Sequence, residues 1–84
     1  MKNIKNSERE LFANIIKNNE SVLHILSKRE RQIIKLRYGL FDGVEHTQRY
    51  IGELFHLSDT RIAQLEAKGR YKVNQYIESQ VFPK

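Results

Sequence analysis

The segment from Thr47 to Val73 carries the tightest constraint on the fold, because its apolar residues, small residue and turn are spaced as in two crossing helices. Ile51 and Phe55 precede a break at His56-Leu57-Ser58. Ile62, Leu65, Gly69, Val73 and Tyr76 follow at three- and four-residue spacing, so one side of a helix faces a core. A helix-turn-helix needs a small residue inside its first helix, where the second crosses close above, and Gly52 supplies it. Ile51, Phe55, Leu57, Ile62 and Leu65 fall where the two helices must be pinned together. His56 occupies the turn and belongs to the residue types enriched at positive φ. Such a unit puts the amino end of its second helix into the major groove of DNA. A plain αα-hairpin fits the same apolar spacing with no DNA role.

The rest of the chain is punctuated by helix signals. Ser7-Glu8-Arg9-Glu10 reads as a capping box, opening an amphipathic helix with Leu11, Phe12, Ile15 and Ile16 that ends near Asn18-Asn19. Val22, Leu23, Ile25 and Leu26 add a further apolar turn or two. A second capping box, Ser27-Lys28-Arg29-Glu30, starts a helix that buries Ile33, Ile34 and Tyr38, and Gly39 stops it in a left-handed conformation. Gly39 to His46 reads as a loop with turn chemistry at Asp42-Gly43. Thr47 caps a helix over Gln48–Phe55, and Ser58 caps the long helix onward. Pro83 lies beyond any helix end. With no convincing strand alternation, the expected fold is all-α: a small helical domain with a helix-turn-helix and no wing. Residues 1–26 read as an N-terminal helical extension and 27–84 as the helix-turn-helix domain.

Eighty-four residues without cysteine must draw their core from efficient helix packing, with neither disulfides nor thiolate chemistry to help. No apolar run approaches the roughly 20 residues of a membrane span, and no signal-peptide pattern opens the chain, so a soluble cytoplasmic protein is expected. The long helix mixes Asp59, Glu66 and Glu78 among its basic residues, which argues against a membrane surface. The net charge of +5 favours a polyanionic partner, although many small proteins are basic for solubility alone. Residues 1–26 hold four Lys/Arg against three Asp/Glu, and residues 27–84 hold eleven against seven, so the excess sits with the helix-turn-helix. Asp42, Glu45 and His46 cluster in the loop without metal-site spacing. No phosphate loop or nucleophile motif is present, so neither enzyme activity nor a cofactor or metal is expected.

Three stretches, "LSKRERQIIKLRYGLFDG", "HTQRYIGELFHLS" and "RIAQLEAK", together resemble region 4, the C-terminal domain of sigma-70 family RNA polymerase sigma factors. The match covers Leu26 to about Val73 in the family's order and spacing. The resemblance implies a helical domain that docks on the flap of the polymerase β subunit and presents its last long helix to the promoter −35 element. Carried over by position, Arg29 and Arg37 match arginines that touch DNA phosphates. Gln64 matches a residue of the recognition helix, and Arg61 its supporting arginine. Lys68 continues the basic side of that helix. Asp59, Thr60, Ala63 and Gln64 would face the bases.

The departures bear on specificity. Asp59-Thr60 stands where the family shows Arg-Glu, and Ala63 where it shows a base-reading Arg. An arginine forked onto guanine is the commonest specific major-groove contact, worth about 1 to 3 kcal/mol of discrimination, and both are missing. Asp59 either accepts from cytosine N4, with Thr60 and Ala63 on thymine methyls, or only complements the helix dipole. Tyr50 replaces a family Glu, and Gly69 an Ala, which marks a bend or a close contact. Residues 1–26 are too few to hold the part of a sigma factor that binds the polymerase clamp. The chain is therefore expected to be a fragment of a longer factor or a stand-alone regulator, working with DNA, polymerase core and a second sigma-like or anti-sigma polypeptide. The competing reading is a protein-interaction module that mimics region 4 on the flap without specific DNA reading.

Overall fold

A computed structural model of the chain describes residues 4–81. It contains four α-helices, α1 (Ile4–Asn18), α2 (Lys28–Arg37), α3 (Gln48–Phe55) and α4 (Asp59–Val81), with a 3-10 helix over Glu20–Ile25 between the first two. No strand occurs among the described residues, as the all-α reading expects. Pro83 lies outside them.

The local signals act largely where the residue chemistry puts them. At the start of α2 the Ser27 Oγ accepts from the Glu30 amide (3.2 Å) while the Ser27 amide donates to Glu30 Oε1 (3.0 Å), a reciprocal capping box. Gly39, at φ +73°, ends the helix, and the Leu40 amide reaches back to the Lys35 carbonyl at 2.9 Å in a Schellman closure. The Asp42 side chain then folds the loop by accepting from the Val44 amide at 3.0 Å. Thr47 Oγ1 caps α3 through the Tyr50 amide, and Ser58 Oγ caps α4 through the Arg61 amide, both at 3.0 Å.

The expected start of α1 is wrong by a turn. The helix begins at Ile4, so Ser7 lies within it and not at its cap. A cap contributes only about 1 kcal/mol, and Ile4-Lys5-Asn6 contains no glycine or proline to break the helix upstream.

The turn between α3 and α4 explains its two special residues. His56 adopts φ 59°, ψ 41°, the left-handed conformation expected of it. A Cβ on Gly52 would lie 2.5 Å from the Leu57 carbonyl oxygen and 3.5 Å from the Asp59 amide nitrogen. The obstacle is thus the turn backbone, not the body of the second helix, and only glycine lets the Leu57 amide close onto the Gly52 carbonyl at 2.8 Å. Gly69 marks a close contact and no break: α4 runs through it, and a Cβ there would meet Ile34 Cγ1 at 3.2 Å.

Two apolar clusters hold the elements together. Ile33, Ile51 and Ile62 are fully buried at the α2, α3 and α4 junction, with Phe55, Leu57 and Leu65 packed around them. The larger cluster joins Phe12 and Ile16 of α1 and Val22 and Leu23 of the 3-10 helix to Ile34, Tyr38 and Val73. The N-terminal segment therefore folds back onto the helix-turn-helix and shares its core. Each fully buried isoleucine contributes about 1.5 to 3 kcal/mol relative to exposure, so α1 is an integral part of the domain.

Candidate nucleic-acid interface

Helix α4 is two-sided along its first turns. Ile62 is fully buried and Leu65 partly so, while Asp59, Thr60, Arg61, Gln64 and Lys68 are exposed and Ala63 is half-buried. The capped amino end leaves backbone amides of the first turn directed outward, where the helix dipole favours negative charge. Asp59 stands in that first turn. Arg61 Nη1 donates to Gln64 Oε1 at 3.3 Å, which orients two candidate contact residues relative to each other. The structure thus keeps all four candidate base-facing residues, with Arg61 and Lys68, out of the apolar core. Arg70, further along α4, is half-buried.

The two arginines of α2 are placed very differently. The Arg29 guanidinium lies over the Phe55 ring at 4.3 Å, at the carboxyl end of α3 and beside the turn. Phe55 packs in the junction cluster, so this cation–π contact holds an exposed positive charge next to the helix-turn-helix. Arg37 is turned inward. Its Nε donates to Glu66 Oε1 at 2.8 Å and its Nη1 to the His46 carbonyl at 3.0 Å. Its side chain is only 18% exposed. With two donor groups spent inside the domain, Arg37 is a strut between α2, the loop and α4, in contrast to the outward phosphate grip expected of it.

Glu66 is the centre of that strut. It is buried on α4, where Gln48 Nε2 donates to Oε1 at 3.0 Å and the Tyr38 hydroxyl to Oε2 at 3.1 Å. Burial pushes the carboxyl up, but the hydrogen bonds from Gln48 and Arg37, the Arg37 charge and the Tyr38 hydroxyl together hold it below its ordinary value. Burial, and then the Glu66 charge, push the Tyr38 hydroxyl up. Arg9 closes the cluster from α1: it stacks over the Tyr38 ring at 4.5 Å and donates from Nη2 to the Arg37 carbonyl at 3.2 Å. A second buried carboxylate, Glu30, receives Lys72 Nζ at 3.0 and 3.1 Å. Both acids follow apolar periodicity, Glu66 four residues after Ile62 and Glu30 three before Ile33. A charge on a buried stripe is the sequence signal for such a pair.

The loop residues do not converge. His46 Nε2 and Asp42 Oδ2 lie 2.9 Å apart, whereas Glu45 approaches Arg9 at 3.6 Å. The His46 ring stacks on exposed Tyr50, at 4.7 Å between centroids and 19° between planes. No helix of the described residues is long and apolar enough to cross a membrane.

Comparison with known proteins agrees with this geometry. The family model described as Sigma-70, region 4 matches residues 22–75. RNA polymerase sigma factor SigA1 of Synechococcus elongatus is 45% identical over 67 residues, 79% of this chain and 17% of that protein. The chloroplastic RNA polymerase sigma factor sigF of Arabidopsis thaliana is 38% identical over 71 residues, 84% of this chain and 12% of that protein. RNA polymerase sigma factor SigA of a Nostoc species is 48% identical over 54 residues, 64% of this chain and 14% of that protein. The chain thus spans between 12% and 17% of the length of these relatives.

Proposed function

Because the chain belongs to the sigma-70 region 4 family, whose members are non-enzymatic DNA-binding domains of sigma factors, we propose that it binds promoter DNA and RNA polymerase in the cytoplasm with its sequence preference altered from the usual −35 element. The observation that carries this reading is the exposed amino end of α4. Thr60, Ala63 and Gln64 stand clear of the core on one side of that end, and the Phe55 ring holds Arg29 beside the preceding turn. Arg29, Arg61 and Lys68 are the phosphate contacts of this reading, which position the protein without carrying sequence information. Asp59 and Ala63 stand in place of the two guanine-reading arginines, and Thr60 in place of a glutamate, all with shorter side chains, so thymine methyls and cytosine N4 become the accessible marks in the groove. The polymerase β flap and a second sigma-like or anti-sigma polypeptide are the protein partners of this reading.

Region 4 mimicry without DNA reading is the second interpretation, favoured by the internal engagement of Arg37 and the missing arginines at 59 and 63. Binding of a labelled random duplex, measured by anisotropy across salt concentrations, separates the two. Direct phosphate contact makes affinity fall steeply with salt, and Arg29→Ala or Lys68→Ala then each lower the log–log slope by about 1. Unchanged affinity and slope in both variants leave only the protein-binding interpretation.

A further inference from the structure

A groove of about 500 Å³ opens between α2, the loop after it and α3. Its floor is apolar, made by Leu36, Phe41, Leu54 and Phe55. Phe41 is 74% exposed and Leu54 47%, large apolar surfaces left in water outside either core cluster. One edge is cationic: Lys28, Arg31 and Lys35 follow one another at three- and four-residue spacing along one side of α2. No carboxylate lines the groove, and no residue of α4 contributes to it.

We infer that this groove docks an acidic amphipathic helix from a partner protein. The partner's apolar residues would cover Phe41 and Leu54, and its carboxylates would face Lys28, Arg31 and Lys35. Apolar anchors at helical spacing suit an elongated apolar floor, and a one-sided basic edge fixes the sign and orientation of the occupant. A nucleic-acid backbone satisfies the lysines but leaves hydrated phosphates against phenylalanine and leucine. A second copy of this chain, at net charge +5, meets the same edge with like charge. The amino end of α4 stays clear when the groove is filled, so this inference needs neither reading of the DNA-facing helix.

The test uses the full chain, isotope-labelled for amide NMR, and a stapled helical peptide with leucine at i, i+3, i+4 and i+7 and glutamate elsewhere. Expected are shifts confined to α2, the Phe41 loop and the end of α3. Phe41→Ala and Leu54→Ser, both at exposed positions, should each weaken binding about tenfold, as anchor truncation does. Lys35→Glu should weaken binding most at low salt. Equal binding by a scrambled peptide of the same composition overturns the inference. So do shifts centred on Asp59 to Lys68, no shift at millimolar peptide, or displacement of the peptide by duplex DNA from the groove.

Discussion

The Arg37 guanidinium sits 2.8 Å from the Glu66 carboxylate, joining residues 29 apart in sequence across the α2–α4 packing. Gln48 and Tyr38 complete the carboxylate's hydrogen bonds, and Arg9 lies 4.0 Å from it, so α1 and the amino end of α3 depend on the same group. Orientation of the exposed end of α4 therefore rests on a charge cluster as well as on apolar packing. Removing one partner from such a pair leaves the other charge buried without compensation.

Glu66→Gln is expected to cost about 3 to 5 kcal/mol at neutral pH, measured by urea unfolding. The pH dependence has a definite sign. The folded carboxyl titrates below its ordinary value of 4.5, so the unfolded chain binds the extra proton in the window between the two values. The stabilisation is complete above the unfolded value and is lost as pH falls through the folded one. Glu30, also held below its ordinary value, contributes in the same direction, because the Ser27 amide and Lys72 outweigh the upward push of burial. Acid unfolding of the parent should steepen below about pH 4.5, and Glu66→Gln should flatten that limb. An acid limb identical in parent and variant counts against the cluster.

Gly52→Ala tests the turn. The added Cβ would lie 2.5 Å from the Leu57 carbonyl oxygen, a backbone atom that cannot rotate away. Overpacking of this kind costs about 1 to 3 kcal/mol or more, and relief requires the turn itself to move. The midpoint of urea unfolding should fall accordingly, with amide shifts concentrated at His56 to Asp59. At Gly69 the neighbour is an Ile34 side-chain carbon at 3.2 Å, so Gly69→Ala should cost clearly less than Gly52→Ala.

His56 gives the opposite sign. It is exposed, at φ 59°, where a residue with a Cβ pays about 1 to 2 kcal/mol and glycine does not. Glycine also adds about 0.4 to 1 kcal/mol of unfolded-chain entropy, which offsets part of the relief. His56→Gly should therefore stabilise by about 0.5 to 1 kcal/mol, whereas His56→Val, β-branched at positive φ, should destabilise. Thermal unfolding of the two variants with opposite shifts confirms that backbone conformation sets the residue type here. Shifts of the same sign would refute it.

The features legible in the sequence were those that local chemistry decides. Ser27, Thr47 and Ser58 as caps, Gly39 as a left-handed stop and His56 in the turn each follow from a residue and its neighbours within four positions. Gly52 was legible as small, but its reason, a carbonyl five residues on, was not. The inward course of Arg37 was hidden because its partner, Glu66, is fixed only by the crossing of two helices. Position in the family motif is silent on that pairing. For the candidate interface, periodicity sufficed to place Thr60 and Gln64 outside the core. The seating of Arg29 on Phe55 needed the three-dimensional approach of α2 to α3.

The amino end of α4 offers a test by gain of function. Asp59 and Ala63 stand where the resemblance to region 4 implies arginines, on an exposed and a half-buried position of a helix whose packing face is elsewhere. Asp59→Arg with Ala63→Arg should leave thermal unfolding within about 0.5 kcal/mol of the parent, since neither side chain belongs to an apolar cluster. If this end of the helix enters the major groove, the double variant should gain about 1 to 3 kcal/mol for each guanine it contacts, and only on duplexes that place guanine there. Selection from a randomised duplex library, sequenced for parent and variant, reads that preference directly. A gain that is equal on all sequences and vanishes at high salt means the new arginines reach phosphates alone, and the amino end of α4 does not read bases.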